Sequence, residues 1–379
     1  MIRSRLAGLI ALAAVIAACG GNPVSDLTEA IQQNDAQRVR TILSGEIDVN
    51  GQDRSGNTPL VVAALRGRTE LLTLLLNNNA DPKVPAQDGR APIDVAVAKG
   101  HTRMVQALLE NGAVLSSDPE LKKAAVRLAI MQHLPELLEA CFESDGVDPE
   151  LKLDGQVPLI LATVQGSPQI VELLLEKGAD PNARDASKGG TALMAASYLG
   201  DARIVKVLLQ KGSDPNAQNN AGVTALMTAA TTGRIDVIQE LLKGKADPEL
   251  QDGAGNCALV LAAAKGNRDA VLALLEGGAD PGARGKNGMT PLIQAAAGGY
   301  ADVVFLLVNH KADANQRGKD GVTPLIAAAE NGHARAAGML LMKRARPNLK
   351  DDQGRTALSV ATAGGHIEVV EALKKKGAK

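Results

Sequence analysis

Apolar positions recur along this chain at a step of 33 residues, broken once by a step of 34. The most regular position is an alanine that occurs eleven times: Ala30, Ala63, Ala96, Ala129, Ala162, Ala196, Ala229, Ala262, Ala295, Ala328 and Ala361. An aliphatic residue precedes each alanine by three positions, from Leu27 to Leu358, and another apolar residue follows it by twelve, from Ile42 to Leu373. A fixed period of this size indicates an array of repeats, each of which packs on its neighbours.

Each repeat is predicted to contain two helices separated by a tight turn. Four residues after the alanine, nine repeats have Gly, whereas the first has Asn34 and the fourth has His133. Gly and Asn tolerate the left-handed backbone conformation that ends many helices. Pairs such as Thr58-Pro59 are typical of an N-cap followed by proline at the first helical position. An apolar stripe such as that of residues 170–175 predicts the second helix.

The pattern therefore predicts an all-α fold, a solenoid of about eleven helix-turn-helix units with short hairpin loops. The small alanine lets neighbouring helices approach to about 8–10 Å, and a larger side chain would overpack the crossing. The chain has no Trp, two Tyr and two Phe, yet 45% of its residues are hydrophobic, which suits thin aliphatic layers better than one large core. We expect one continuous array over residues 25–379.

The turns between repeats resemble those of a known family. Gly178–Asn182 is typical of the segments that end a repeat, and Asp351–Thr356 is typical of the hairpins that begin one. Together they resemble the ankyrin repeat over roughly residues 25–379. The resemblance implies an ankyrin-repeat solenoid whose concave face, made of hairpin tips and first helices, binds protein partners. One departure is consistent: the His of the ankyrin Thr-Pro-Leu-His box is absent, and residues such as Val61 and Met194 occupy its place.

Repeat four is irregular. Between Val114 and Lys123 there is no Asp-x-x-Gly hairpin, His133 replaces the turn glycine, and the segment 145–148 carries an extra residue. In an array stabilised by nearest neighbours, a poor interface uncouples the two sides. We therefore expect this degenerate unit, near residues 114–150, to form a kink or a first unfolding boundary. The extra residue in 187–190 is expected only to lengthen one hairpin.

Residues 1–18 are predicted to be a signal peptide. Arg3 and Arg5 precede an apolar run, Leu6–Ala18, that is too short to span a bilayer as a helix. The run ends in Ile-Ala-Ala-Cys at Cys19, which resembles the lipobox of bacterial lipoproteins, although an ordinary signal peptide is the alternative.

The lipobox resemblance implies that Cys19 is lipidated and becomes the first mature residue. Residues 19–24 would then form the lipidated Cys and a short linker, which anchors a periplasm-facing protein in the bacterial cell envelope without a transmembrane helix. Because Gly20 rather than Asp follows the Cys, the outer membrane is favoured.

Catalytic, metal and nucleic-acid sites are not expected. The chain has 41 basic and 42 acidic residues and lacks the aromatic residues of a nucleic-acid surface. Cys141 and Cys257 lie four repeats apart and should not pair. His333 and His366 fall on adjacent layers without a third ligand, so no metal is predicted. The expectation is a non-enzymatic, monomeric protein without a cofactor.

The function expected is binding of a protein partner. Bacterial envelope ankyrin lipoproteins, which the chain resembles, imply either an inhibitor or immunity partner of a secreted enzyme or a protective partner of an envelope enzyme, and the sequence leaves both open. The alternative is a structural tether or scaffold of the envelope without a dedicated soluble partner.

Ten residues in repeats six to nine are predicted to contact the partner, because the repeat places them at hairpin tips and at the ends of first helices: Tyr198, Leu199, Asn220, Val223, Thr231, Thr232, Lys286, Met289, Lys319 and Val322. Tyr198 is the most informative, since Tyr is enriched among binding hot spots. The alternative is that Tyr198 covers the small-residue core locally.

Overall fold

The computed structural model describes residues 22–143, 147–285 and 288–379. In these ranges every regular element is a helix, apart from two isolated bridges, Arg184 with Thr191 and Lys350 with Thr356. The first helices of the eleven repeats are α1 (Pro23–Gln32), α3 (Pro59–Arg66), α5 (Pro92–Lys99), α7 (Pro119–Met131), α9 (Pro158–Gln165), α11 (Ala192–Leu199), α13 (Ala225–Thr232), α15 (Ala258–Lys265), α17 (Pro291–Ala297), α19 (Pro324–Glu330) and α21 (Ala357–Ala363).

The second helices alternate with them along the chain. They are α2 (Ala36–Leu43), α4 (Thr69–Leu76), α6 (Thr102–Glu110), α8 (Pro135–Glu143), α10 (Pro168–Glu176), α12 (Ala202–Gln210), α14 (Ile235–Lys243), α16 (Arg268–Glu276), α18 (Ala301–Asn309), α20 (Ala334–Met342) and α22 (Ile367–Lys375). The predicted helical repeat is confirmed. Helix α1 begins at Pro23, two residues before the boundary predicted for the array.

The helices begin and end where the sequence predicts. The Thr58 hydroxyl accepts a hydrogen bond from the Val61 N–H at 3.4 Å, and Thr323 caps α19 in the same way. Gly233 ends α13 in the left-handed conformation, with φ 69°. Asn34 and His133, which replace this glycine in repeats one and four, adopt φ 59° and 54°. The turn conformation is therefore kept in all repeats, at some backbone strain where the residue is His133.

The alanine position forms the centre of each layer. All eleven alanines, from Ala30 to Ala361, are fully buried. The apolar residue twelve positions later is fully buried in ten repeats and half-buried only at Ile42. Packing at the first-helix crossings therefore depends on a side chain no larger than a methyl group.

Contacts divide the chain into two compact units, one ending at Asp154 and the other comprising Gly155–Lys379. In the described part of the first unit, the first helices α1, α3, α5 and α7 pack in succession, as do the second helices α4, α6 and α8. In the second unit, the same two rows run through α9–α21 and α10–α22. The division falls beside the stretch 114–150, for which an unfolding boundary remains a prediction.

Hydrogen bonds join neighbouring hairpins of the second unit, although the His of the Thr-Pro-Leu-His box is absent. The Asn220 N–H donates to the Lys188 carbonyl at 2.9 Å, and the Gly253 N–H donates to the Ala221 carbonyl at 2.8 Å. The Gln218 side-chain amide adds a 2.8 Å bond to the Gln251 carbonyl. Backbone groups and amide side chains thus tie successive hairpins together.

Repeat four has a longer first helix and a differently bonded loop in place of the hairpin. Helix α7 is longer than the other first helices and begins at Pro119, with the Asp118 carboxylate accepting hydrogen bonds from two backbone N–H groups. The preceding loop is held by the buried carboxylate of Asp94, which accepts from the Ala91 and Ser116 N–H groups, both at 3.1 Å.

Candidate binding surface

Tyr198 and Leu199 form the last turn of α11. Thr191 caps the start of this helix, and Gly200, with φ 84°, ends it. Because Ala196 and Ser197 occupy the buried side of the same turn, the two larger residues point outward. Tyr198 is 64% exposed and Leu199 is 44% exposed. An exposure this large argues against the alternative that Tyr198 serves only to cover the core.

Val164 continues this apolar surface in repeat five. It lies two positions after its repeat's alanine, as Tyr198 does, and it is 51% exposed. Since α9 and α11 pack side by side, the two residues occupy equivalent places on adjacent helices. Sequence reasoning missed Val164, although its position in the repeat could have identified it.

A cleft of about 690 Å³ opens beside these residues, between the ends of α9 and α11 and the starts of α10 and α12. Its apolar lining includes Val164 and Leu199, and its polar lining includes Arg203 and Asp236. The Asp201 carboxylate also lines it and accepts hydrogen bonds from the first N–H groups of α12, which fixes this wall. A cleft lined by both apolar and polar side chains can hold part of a binding partner.

Thr231 and Thr232 occupy the corresponding turn of α13. Both are half-buried. Their hydroxyls donate to the carbonyls of Met227 at 2.8 Å and Thr228 at 2.9 Å, so both hydroxyl protons are already engaged within the helix. We define the Tyr198 cluster as Val164, Tyr198, Leu199, Thr231 and Thr232.

The other predicted residues lie on the hairpins, and we define these as the finger strip: Asn220, Val223, Met289, Lys319 and Val322. Asn220 and Lys319 are exposed, whereas the three apolar residues are half-buried. Val223 is fixed by a 2.9 Å bond from its N–H to the Asn219 carboxamide, and Val322 by a 3.1 Å bond from its N–H to the Lys319 carbonyl.

The structure therefore separates the predicted site into two groups. An eight-residue first helix, about 12 Å long, lies between the hairpin that precedes it and the turn that ends it. The Tyr198 cluster and the finger strip are thus at opposite ends of the first helices. Lys286 and the lipidation candidate Cys19 lie outside the described residues.

The longest hairpin is held rigidly by Asp185. Its carboxylate accepts hydrogen bonds from the Ser187 hydroxyl at 2.6 Å and from the Ser187 and Lys188 N–H groups. These bonds, the Ser187 hydroxyl foremost, lower the pKa of Asp185 to about 2. The Arg184 guanidinium donates to the Gln218 carbonyl on the next hairpin at 2.6 Å. As predicted, the extra residue lengthens one hairpin and leaves the flanking alanines buried.

The reactive side chains have structural roles. Cys141 and Cys257 are buried and unpaired, and burial raises the pKa of both thiols, that of Cys141 to about 12. His333 and His366 bond through Nε2 to carbonyls of the preceding repeat, at 3.0 and 3.1 Å.

Within the described ranges, no group of three or more His, Cys, Asp or Glu residues is arranged to hold a metal ion. Among the helices of these ranges, none combines the length and the apolar character needed to cross a membrane.

Comparison with known proteins identifies the repeats. The family model for three consecutive ankyrin repeats matches residues 27–123, 192–285, 226–317, 259–351 and 292–379, and the model for one ankyrin repeat matches residues 154–186. No curated protein matched the chain. The matches cover more than half of the chain and indicate a protein–protein interaction module, with no catalytic family among them. The chain therefore belongs to the ankyrin-repeat family.

Proposed function

We propose that this protein is a lipid-anchored module of the bacterial cell envelope that binds a protein partner through the Tyr198 cluster. The observation that carries the proposal is the exposure of Tyr198, Leu199 and Val164 beside a cleft of about 690 Å³. The fold does not require these side chains, since the corresponding position is Ala264 in repeat eight and Ala297 in repeat nine.

The geometry favours tight binding by a small surface. Tyr198 and Leu199 lie on a helix capped at both ends, so little backbone entropy is lost when a partner binds. Tyr presents a large contact area with few rotatable bonds, which is why it is common in binding hot spots. The finger strip, which lies on the hairpins before α13, α17 and α19, gives the same partner a second area of contact.

The proposed partner is an envelope or secreted enzyme, which the protein inhibits, confers immunity against or protects. The absence of a catalytic family among the matches is consistent with a role exerted on another protein. These roles differ in one measurable quantity, because an inhibitor lowers the activity of the bound enzyme whereas a protective partner preserves it during heating or oxidation.

The anchor is proposed at Cys19, in the sequence Ile-Ala-Ala-Cys. Acyl chains on this residue would hold the protein at a membrane without a membrane-spanning helix. The Cys19→Ser chain should move from the membrane fraction to the soluble periplasmic fraction or accumulate unprocessed. Unchanged fractionation would contradict lipid anchoring while leaving the partner-binding surface untouched.

The binding surface is tested by a pair of matched double variants. Envelope proteins retained by the immobilised wild-type chain are identified, and the affinity of the purified partner is then measured. Tyr198→Ala with Leu199→Ser should weaken binding by about 2 kcal/mol or more, without changing circular dichroism or the melting temperature. Phe305→Ala with Met342→Ser removes comparable exposed apolar area from second helices and should leave affinity unchanged.

Two results would contradict the proposal. Retained affinity in the Tyr198 and Leu199 double variant, or loss only in the Phe305 and Met342 variant, would place the partner on another surface. Failure of the wild-type chain to retain any envelope protein would favour the structural tether.

A further inference from the structure

A second cleft lies in the first compact unit, on the row of second helices, and it is unrelated to the Tyr198 cluster. It opens between α6 and α8 and has a volume of about 650 Å³. Its apolar lining is made by Leu109, Ala113, Val114 and Ala140, and its charged lining consists only of glutamates. This volume is within the range of protein binding sites.

Val114 is the first observation that points to a ligand. In seven other repeats, the residue at this position is an Asp whose carboxylate accepts a hydrogen bond from the backbone N–H two residues later. These residues are Asp48, Asp81, Asp180, Asp214, Asp247, Asp280 and Asp313. Val114 cannot form this turn, and it is 58% exposed at the edge of the cleft. An exposed apolar residue has replaced a residue that stabilises the fold.

The second observation is the spacing of the glutamates on α8. Glu136, Glu139 and Glu143 all line the cleft, and their positions follow one another by three and four residues. They therefore lie along one helix face, with rises of about 4.5 and 6 Å between them. Like charges at these spacings destabilise a helix, and Glu143 also lies unfavourably at its carboxyl end.

These carboxylates are not neutralised within the described part of the chain. Neither Glu110 on α6 nor any of the three glutamates on α8 takes part in an ion pair there. The corresponding space between α10 and α12 differs, because Glu176 is paired there with Lys211 at 2.9 Å. The α6–α8 cleft thus combines an apolar floor with glutamates that form no ion pair among the described residues.

We infer that this cleft is a docking site for a cationic amphipathic helix of a partner protein. Lys or Arg residues at helical spacings of three and four would meet Glu136, Glu139 and Glu143 in register, since both helices have the same rise per residue. Apolar residues of the same helix would cover Val114 and Leu109. Charge complementarity selects this occupant over an acidic or neutral segment.

The test uses the full chain and a fluorescent synthetic peptide of Lys and Leu, about four helical turns long, in which the two residue types segregate on opposite helix faces. A second peptide has the same composition in strict alternation and cannot form an amphipathic helix. Fluorescence anisotropy at low ionic strength should show the first peptide binding at least about tenfold more tightly than the second.

Matched variants locate the binding. Glu136→Gln with Glu139→Gln and Glu143→Gln should weaken binding of the first peptide by about tenfold. Glu276→Gln with Glu368→Gln and Glu371→Gln removes the same charge from exposed positions on α16 and α22 and should have little effect. Val114→Ser, which leaves the charge unchanged, should also weaken binding.

Equal binding of the two peptides, or equal effects of the two triple variants, would overturn the inference, because either result means that only overall charge is recognised. Circular dichroism checks that each variant remains folded. The Tyr198→Ala, Leu199→Ser double variant should bind the peptide as the wild type does. The proposal for the α6–α8 cleft can therefore fail independently of the proposal for the Tyr198 cluster.

Discussion

Repeats seven and four solve the same structural problem with different residues. In repeat seven, Thr224 caps the first helix, Gly233 turns the chain, and Asp247 closes the loop that follows. In repeat four, Asp118 is the cap, and His133 turns the chain at φ 54°. Both repeats bury their alanine completely. The two repeats share the buried alanine and the left-handed turn, whereas only repeat seven has the hairpin, so a repeat can fold without it.

The irregular repeat also differs in what it exposes. In the regular repeats, the loop Asp and the amide side chains are engaged in bonds between hairpins, as Asn216 is with the Asp247 N–H at 2.7 Å. Around repeat four, Val114 and the glutamates of α8 are exposed at a cleft instead. Loss of the standard loop has therefore changed the chemistry of the surface while preserving the layer.

The largest expected effect comes from the shared alanine. Ala229→Leu would overpack the crossings of α13 with its neighbours and should reduce stability by about 1–3 kcal/mol. Thermal unfolding followed by circular dichroism measures this. Thr232→Ala, three residues away and half-buried, should change the melting temperature little. Equal effects of the two substitutions would contradict the assigned repeat register.

The next largest loss of stability is expected on substitution of Asp94, whose carboxylate holds the loop before repeat four. Asp94→Ala removes the carboxylate that accepts the Ala91 and Ser116 N–H groups, and it should cost about 1–2 kcal/mol because both donors lose their partner. Chemical denaturation provides the measurement. Asp88→Ala is the control, since Asp88 pairs only with the exposed Arg90. A stability unchanged by Asp94→Ala would show that the loop does not depend on this carboxylate.

Hydrogen exchange should separate the two regions directly. Amides in residues 114–143 should open with a free energy about 1 kcal/mol or more below that of repeats six to nine, because repeat four lacks the hairpin bonds. Mass spectrometry of exchanged peptides can compare them within one sample. Equal protection of the two regions would rule out a weak layer.

The smallest expected effect is the contribution of Asp185 to the pH dependence of stability. Its pKa of about 2 lies below the ordinary value of 3.8, so the ionised carboxylate contributes stability above about pH 4, and this contribution is lost as the pH falls towards 2. Because solvent screens this half-buried hairpin carboxylate, we expect only a small loss of stability over this pH range. An NMR titration should give a midpoint below 3.8, and Asp185→Asn should remove that transition. A midpoint near 3.8 would contradict the hydrogen-bonded hairpin.

Much of the fold could be predicted from the sequence because each repeat is a local unit. The alanine spacing, the Thr-Pro caps and the turn glycines identify both helices of the repeat, and the structure confirms them. The Asp118–Pro119 cap and the role of Asp94 were not predicted. The bond between Asp94 and Ser116 depends on how a nonstandard loop closes, which the period does not encode.

The candidate site was predictable only in part. Position in the repeat correctly indicated that Tyr198 and Leu199 are exposed. It did not indicate that the hydroxyls of Thr231 and Thr232 bond to the backbone, since that depends on side-chain rotamers. Nor did it reveal the clefts beside Val164 and Val114, because the repeat pattern does not specify the side chains that line them.

The most direct test of the binding surface is site-specific photo-crosslinking in cells. A photoreactive phenylalanine analogue is placed at Tyr198 or, in a second strain, at Phe305, an exposed aromatic residue on a second helix. We expect a covalent adduct with one partner protein from position 198 and none from position 305. An adduct from position 305 alone, or from neither position, would contradict it.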